Sequence, residues 1–219
     1  LEALEHIISD GASLVITVDC GISSYDIVEA VCDRIDIIIT DHHTAPPQIP
    51  PARAVINHKQ PDCPYRDKNL SGVGVAFKLC QALWLRQCGE WYLDDLDIVA
   101  LGTVADVVPL VGENRIIVQA GLKKLNELPN LGIDKLIDVA GLHDKTITAG
   151  HIGFTLAPRL NAAGRVTHAT RAVELLVTDD VDLAETIAQE LQETNMERQE
   201  IERSIHEEAR ANVAAQGHL

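Results

Sequence analysis

Alternating apolar and polar runs predict a strand, a helix and a second strand near the start of the chain. The run LVITV, Leu14–Val18, is β-branched and bounded by turn residues, as is typical of a buried strand. A second apolar run covers Ile35–Thr40, and a shorter one lies within the segment RAVIN. Between the first two, Ser23 and Ser24 can cap a helix that extends to about Asp33. This order predicts a βαβ unit with parallel strands.

Apolar positions at helical spacing predict helices over much of the remaining chain, with expected ranges of 75–87, 96–103, 115–126, 133–139 and 182–216. The last range contains neither proline nor glycine and would form a rod of roughly 50 Å. Its apolar stripe is thin, so we expect it to pack one edge on a domain and to bridge outward as a connector. A coiled-coil dimer is the alternative, but the heptad pattern is not sustained.

The predicted fold class is therefore α/β, with a parallel sheet, helices on both of its faces and a long connecting helix at the end. We expect one α/β domain over residues 1–178 and the connector over 179–219. Because the chain begins without methionine and with a helix-like segment, we expect it to be part of a longer protein, with a further domain after the connector.

Composition favours a globular protein that lies outside the membrane. Hydrophobic residues make up 46% of the 219 positions, and no stretch approaches the roughly 20 apolar residues that a membrane helix needs. The start of the chain does not resemble a signal peptide. The five cysteines form neither a C-x-x-C pair nor a disulfide framework, so reduced thiols and a cytoplasmic location are expected.

The formal net charge of −15 argues against a nucleic-acid-binding protein that lays a broad basic face along phosphates. It does not exclude an enzyme that acts on phosphates through divalent cations, because such a site must itself be rich in carboxylates. Remote negative charge is screened over about 8 Å at physiological ionic strength. The substrate can therefore still be an anion.

Acidic residues follow both strands of the predicted βαβ unit. Asp19 ends the first strand, and Asp41 ends the second and is followed by His42 and His43. Because parallel strands place their carboxyl ends at the same edge of a sheet, these side chains should share the crevice where α/β sheets bind ligands. The alternative is that each aspartate only begins a turn, which is common chemistry for a single residue.

Asp106 is a third unusual acid, because it lies between valines and alanine, where a carboxylate seldom occurs without a partner. Capping of the turn before Pro109 is the alternative. Together with Asp19, His42 and His43 it would form a set of oxygen and imidazole donors that suits Mn²⁺, with Mg²⁺ as a competitor. Two such ions need more acids than these, so we expect further aspartates from a strand that precedes Leu1.

Two further segments contain residues that could approach an anion. The Gly72-x-Gly74 pair has Phe77 where a dinucleotide fingerprint needs its third glycine, which excludes that cofactor. The glycines either let amides at a helix start approach an anion or serve plain turn chemistry.

The segment HIGFTLAPRLNAAGR is predicted to be a loop of small residues in which Arg159 and Arg165 flank Asn161. Guanidinium groups can donate two hydrogen bonds at once to a phosphate. Structural salt bridges to the acidic surface are the alternative role for these arginines.

Five motifs, in order along nearly the whole chain, resemble those of the DHH phosphoesterase superfamily. They are VITVDCG, IIITDHHTAP, LSGVGVAFKL, ALGTVADVVPL and APRLNAAGR. The similarity is greatest to the superfamily's bacterial exonucleases specific for single-stranded DNA. The resemblance implies a DHH catalytic domain that hydrolyses single-stranded DNA from the 5′ end under Mn²⁺ or Mg²⁺, in repair and recombination.

The resemblance also implies a role for each matching residue. Asp19, His42 and Asp106 would bind the metal, His43 would contact the scissile phosphate or assist the leaving oxygen, and Asp41 would orient an imidazole. The expected substrate-binding residues are Arg159, Asn161 and Arg165. Candidate further partners are a single-strand-binding protein and a helicase, and the protein is expected to be a monomer.

The family's first motif, an aspartate-rich strand end, and its C-terminal substrate domain are not present in this chain. We therefore expect this chain by itself to be inactive. Two alternatives remain. One is a DHH phosphodiesterase for short oligonucleotides or cyclic dinucleotides, and the other is an inactive scaffold in replication.

Overall fold

The computed structural model describes residues 1–166 and 169–215. The chain divides into two compact units, Leu1–Gly121 and Leu122–Leu219. None of the helices in the described ranges is long and apolar enough to cross a membrane. The boundary predicted from the sequence near residue 178 remains a prediction.

The first unit contains a three-stranded parallel sheet in the order β1-β2-β3. The strands are β1 (Leu14–Val18), β2 (Asp36–Thr40) and β3 (Ala54–Ile56). In the register, Thr40 lies opposite Val18 on one side and Ile56 on the other. All three strands therefore end at the same edge of the sheet, which confirms the predicted parallel arrangement.

Adjacent side chains of the short strand β3 pack into different cores, which shows that helices cover both faces of the sheet. Val55 packs with Ile37 and Ile39 of β2 in a core that also includes residues of α1 (Glu2–Ser9) and α2 (Tyr25–Glu29). The next residue, Ile56, packs instead with the core formed by the helices α3 (Gly72–Cys88), α4 (Leu96–Ala105) and α5 (Gly112–Glu127). Full burial of an aliphatic side chain such as Ile39 contributes about 1.5–3 kcal/mol.

Helix α2 is shorter than its sequence pattern predicts, because it ends at Glu29 and not near Asp33. Val31 is nevertheless buried, and its carbonyl accepts bonds from the amides of Arg34 and Ile35 in the turn that follows. The apolar spacing therefore predicts burial correctly at Val28 and Val31, whereas Ile27 is exposed and the last predicted residues form turns.

The second unit is helical. Its elements are α6 (Leu131–Val139), the single turn α7 (Ala149–His151), a π-helical turn (Ile152–Leu156), α8 (Ala157–Val166), α9 (Ala169–Val177) and α10 (Val181–Ala215). The first half of α10 packs on α6, α8 and α9 and buries Ile187 and Leu191, whereas Ile201 and Ile205 are exposed. The long helix predicted from the sequence is therefore present.

The predicted loop around Arg159 is wrong, because Ala157–Val166 is helical. Pro158 directly follows the π-helical turn, inside a helical segment that is continuous from Ala149 to Val166. Its ring would crowd the carbonyl four residues earlier in a regular helix, and the chain has a wider π-helical turn there. Small residues such as Ala162 are also good helix formers, so their presence did not indicate a loop.

Candidate metal centre

Asp41 lies at the centre of the hydrogen bonds that shape this edge of the sheet. It follows β2 and is 1% exposed. Its Oδ1 accepts from the backbone amides of His42 and His43 at 2.7 and 3.0 Å, and from Nδ1 of His43 at 2.7 Å. Its Oδ2 accepts from the amide of Ile22, in the loop that follows β1, at 2.9 Å. One carboxylate thus joins the loops after two strands.

These bonds also determine the charge of Asp41. Burial alone would raise the pKa of this carboxyl, but the amides of His43, Ile22 and His42 and the His43 ring outweigh burial and lower the pKa. Asp41 is therefore an anion that is fully engaged by donors. It orients His43, whose side chain is 62% exposed.

His42 approaches two acids from distant parts of the first unit. Its Nε2 lies 3.1 Å from Oδ1 of Asp19 and 3.5 Å from Oδ2 of Asp106. The ring is only 8% exposed, and neither of its nitrogens has a hydrogen-bond partner among the described residues. The short distances lack hydrogen-bond geometry, so the imidazole and the two carboxylates converge without being paired by hydrogen bonds. A cation in this position would give all three side chains a common partner.

Asp19 and Asp106 reach the centre from the ends of β1 and α4. Asp19 has a left-handed backbone with φ of 60°, which an aspartate tolerates better than most residues. Asp106 caps the C-terminus of α4, and the next residue, Val107, is also left-handed. Burial and the nearby charge of Asp19 raise the pKa of Asp106, and the neighbouring His42 opposes this rise only in part.

The donor set fits a hard divalent cation. Asp19, His42 and His43 each offer a ligand atom, and these atoms lie within 4.8 Å of one another. Asp106 adds a second carboxylate, which lies 3.5 Å from the same Nε2 atom of His42 that Asp19 approaches. Oxygen and imidazole donors without thiolates suit Mn²⁺ and Mg²⁺.

Comparison with known proteins identifies a matching family and relatives of this chain. The DHH family N-terminal domain matches residues 2–103 of this chain. The matched segment belongs to the DHH family. The chain's relatives include the single-stranded-DNA-specific exonuclease RecJ of Bacillus subtilis, to which the chain is 43% identical over 99% of its length, and RecJ of Escherichia coli, at 41% over 95%. The chain spans 27% and 38% of the length of these two relatives.

Solved structures of RecJ confirm the fold class. A crystal structure of RecJ from Thermus thermophilus in complex with Mn²⁺ has a TM-score of 0.82 and 35% identity, and the match covers 93% of this chain and 31% of that one. A crystal structure of exonuclease RecJ bound to manganese has a TM-score of 0.83 and 34% identity, with 93% and 51% covered.

Asn57 is not among the residues predicted from the sequence, although it contributes to this edge. It follows β3, is 2% exposed, and donates through Nδ2 to the carbonyl of His43 at 2.9 Å. Its Oδ1 accepts from the amide of Lys59 at 2.7 Å. The available signal was its position directly after a parallel strand, which also indicated Asp19 and Asp41.

The predicted substrate-binding residues belong to the second unit. The Arg159 guanidinium donates to Oε1 of Gln192 on α10 at 2.7 Å and to the carbonyl of Thr155 at 2.5 Å, and burial lowers its pKa. Asn161 is exposed on α8. The side chain of Arg165 lies outside the described residues. Contact of these three residues with DNA remains a prediction.

Proposed function

We propose that the protein hydrolyses phosphodiester bonds with divalent cations and acts as a 5′→3′ exonuclease on single-stranded DNA. This proposal rests on the convergence of Asp19 and Asp106 on the buried His42. The ring nitrogens of His42 have no hydrogen-bond partner in the described chain. The similarity to RecJ proteins supports the choice of substrate, because those relatives are named for single-stranded DNA.

In the proposed mechanism, Asp19, His42 and Asp106 would hold the cations through their carboxylate oxygens and imidazole. When bound, Mn²⁺ or Mg²⁺ would polarise a phosphoryl oxygen and make water a stronger nucleophile. The carboxylates present here would be part of the ligand set, since two cations that clamp a phosphate need further acids. This requirement motivates testing the protein at its natural full length.

His43 has a geometry suited to a role at the phosphate. Because its Nδ1 donates to Asp41, its Nε2 is left free for the substrate, and the side chain is largely exposed. We assign it to contact with the scissile phosphate or to donation of a proton to the leaving 3′ oxygen as the bond from phosphorus to that oxygen breaks. Asp41 would act through His43 by fixing the orientation of the ring.

Arg159, Asn161 and Arg165 are proposed to bind the phosphates of the DNA strand, and Mn²⁺ or Mg²⁺ is the proposed cofactor. A single-strand-binding protein and a helicase are proposed partners, and the protein is proposed to be a cytoplasmic monomer. The five free cysteines support a reducing compartment.

The test uses one single-stranded oligonucleotide labelled at its 5′ end or at its 3′ end, with the natural full-length protein and Mn²⁺. We expect immediate release of a labelled mononucleotide from the 5′ label and a gradually shortening ladder from the 3′ label. Degradation from the 3′ end, or hydrolysis of dinucleotides alone, would overturn the exonuclease proposal and favour a phosphodiesterase for short substrates.

A pair of histidine variants gives the matched control. His42→Ala removes a central donor, and we expect at least about a hundredfold loss of cleavage. His6→Ala changes an exposed histidine on α1, and cleavage should remain at the wild-type rate. Equal activity of the two variants would remove this cluster from the mechanism.

A further inference from the structure

Gly72 is the first residue of α3, and its position is fixed by buried hydrogen bonds on either side. Ser71 caps the helix, with its Oγ accepting from the amide of Gly74 at 3.2 Å. The same Oγ lies 3.0 Å from Oγ1 of Thr103 on α4, and both hydroxyl side chains are buried. The start of α3 therefore cannot shift without breaking buried hydrogen bonds.

The Asp19 carboxylate lies directly against the backbone of Gly72. A Cβ atom at position 72 would lie 2.0 Å from Oδ1, 2.4 Å from Cγ and 2.7 Å from Cβ of Asp19. Atoms that are not bonded cannot approach so closely, and the clash would include the base of the Asp19 side chain as well as its flexible end. Only glycine fits at position 72 while Asp19 keeps its place.

Asp19 has little freedom to move away from such a clash. Its left-handed backbone is part of the turn between β1 and Ile22, and the amide of Ile22 is bound by the buried Asp41. Its Oδ1, the atom nearest to a Cβ at position 72, is also the atom that lies 3.1 Å from Nε2 of His42. Displacement of that oxygen would therefore change the distance between two donors of the candidate metal centre.

We propose that Gly72 is a positioning residue of the metal centre, whose missing side chain determines where the Asp19 carboxylate lies and hence how tightly the centre binds its cation. This inference rests on the proposed function. It gives the Gly72-x-Gly74 pair a role other than cofactor binding or turn formation.

The first experiment measures Mn²⁺ binding by the full-length protein, by electron paramagnetic resonance of the free ion and by calorimetry. Gly72→Ala should weaken Mn²⁺ affinity by about tenfold or more, a size typical of residues that orient metal ligands. Gly74→Ala is the matched control, because its Cβ would meet Ser71 Oγ at 3.2 Å and Leu70 Cδ2 at 3.5 Å but not Asp19. Its affinity should equal that of the wild type, and equal weakening in both variants would overturn the inference.

Asp19→Ala separates failure of this inference from failure of the proposed function. If Asp19→Ala loses Mn²⁺ affinity and Gly72→Ala does not, the metal centre stands and the role of Gly72 is wrong. If Asp19→Ala binds Mn²⁺ as the wild type does, the proposed centre itself is wrong, and the inference is lost with it.

A second measurement needs no metal and covers the case in which Gly72→Ala folds poorly. The change Asp19→Gly removes all three atoms that the new Cβ would meet, and glycine tolerates the left-handed backbone. In the presence of a chelator, Gly72→Ala should lower the melting temperature in the wild-type background and much less in the Asp19→Gly background. An equal loss in both backgrounds would show that the two residues are not coupled and would overturn the inference.

Discussion

Val107 has a left-handed backbone, with φ of 59°, directly after Asp106 at the end of α4. The other non-glycine residue of the described chain with a positive φ is Asp19, at 60°. Both therefore lie at the candidate metal centre, one as a donor and one beside a donor. Such backbone conformations are costly for residues with a Cβ, and they persist where the surrounding structure fixes them.

Relief of this strain should be measurable at Val107, whose side chain is 86% exposed. We expect Val107→Gly to raise the free energy of unfolding by about 1 kcal/mol, because a β-branched residue in the left-handed region costs more than the extra unfolded-state entropy of glycine. Urea denaturation measures the change. Val108→Gly has the same chemistry at a residue without positive φ and should be destabilising, so a loss of stability in both variants would contradict the strain argument.

Asp106→Asn should separate metal binding from folding. The carboxylate is unfavourably placed beside Asp19 without a cation, so the neutral amide should leave the melting temperature of the metal-free protein equal or higher. The increase in melting temperature on adding Mn²⁺ should shrink, and cleavage of single-stranded DNA should fall at least about a hundredfold.

The control for this change is Asp36→Asn, at the exposed opposite end of β2. It should alter neither the Mn²⁺-induced stabilisation nor cleavage. Wild-type turnover by Asp106→Asn would remove Asp106 from the mechanism.

Arg159→Ala should weaken binding of single-stranded DNA while leaving Mn²⁺ affinity unchanged. If the guanidinium contacts one phosphate, the slope of log affinity against log salt concentration should fall by about 0.7, as for a single strand. Fluorescence anisotropy at several salt concentrations gives this slope, and calorimetry gives the metal affinity.

The bond from Arg159 to Gln192 is also structural, so stability needs its own control. Gln192→Ala removes that bond and should cost about 1 kcal/mol of stability with no change in the salt slope. If Arg159→Ala changed metal affinity more than DNA affinity, its assignment to phosphate binding would be refuted.

Asp67 should make stability depend on pH. It accepts from the amides of Glu113, at the start of α5, and of Asn69 at 2.8 and 2.9 Å. Burial alone would raise the pKa of Asp67, but these bonds outweigh it and hold the pKa below the usual 3.8. A lowered folded-state pKa stabilises the protein above the unfolded-state pKa, and this contribution is lost as the pH falls through the folded-state value.

Asp67→Asn should therefore lower the free energy of unfolding by about 1 kcal/mol at neutral pH, and by progressively less below pH 3.8. Urea denaturation of both proteins, at each pH at which they are folded before urea is added, measures the difference in the free energy of unfolding. Asp62→Asn, in the same loop and exposed, should have little effect at any pH. A difference for Asp67→Asn that stays constant in acid would contradict the ionic contribution.

The strands and their common edge were predictable from the sequence because the information is local. A β-branched run specifies β1 and β2, and the order of strand, helix and strand determines that they are parallel. Once parallel, they bring Asp19 and Asp41 to one edge regardless of the residues between them. The motif series indicated the DHH family for the same reason, since each motif is a short stretch of sequence.

Other features depend on which atoms meet after folding. The hydrogen bond from Asn57 to the carbonyl of His43 and the contact of Asp19 with Gly72 join segments that are distant in sequence. The left-handed backbone of Val107 has no local sequence signature. The helix over Ala157–Val166 replaced a predicted loop, because small residues are compatible with both structures and the preceding π-helical turn accommodates Pro158. The sequence by itself thus determined the sheet and the edge at which its acidic residues lie, through local pattern and chain direction. Packing and backbone geometry between distant segments decided how closely the donors of the metal centre approach one another.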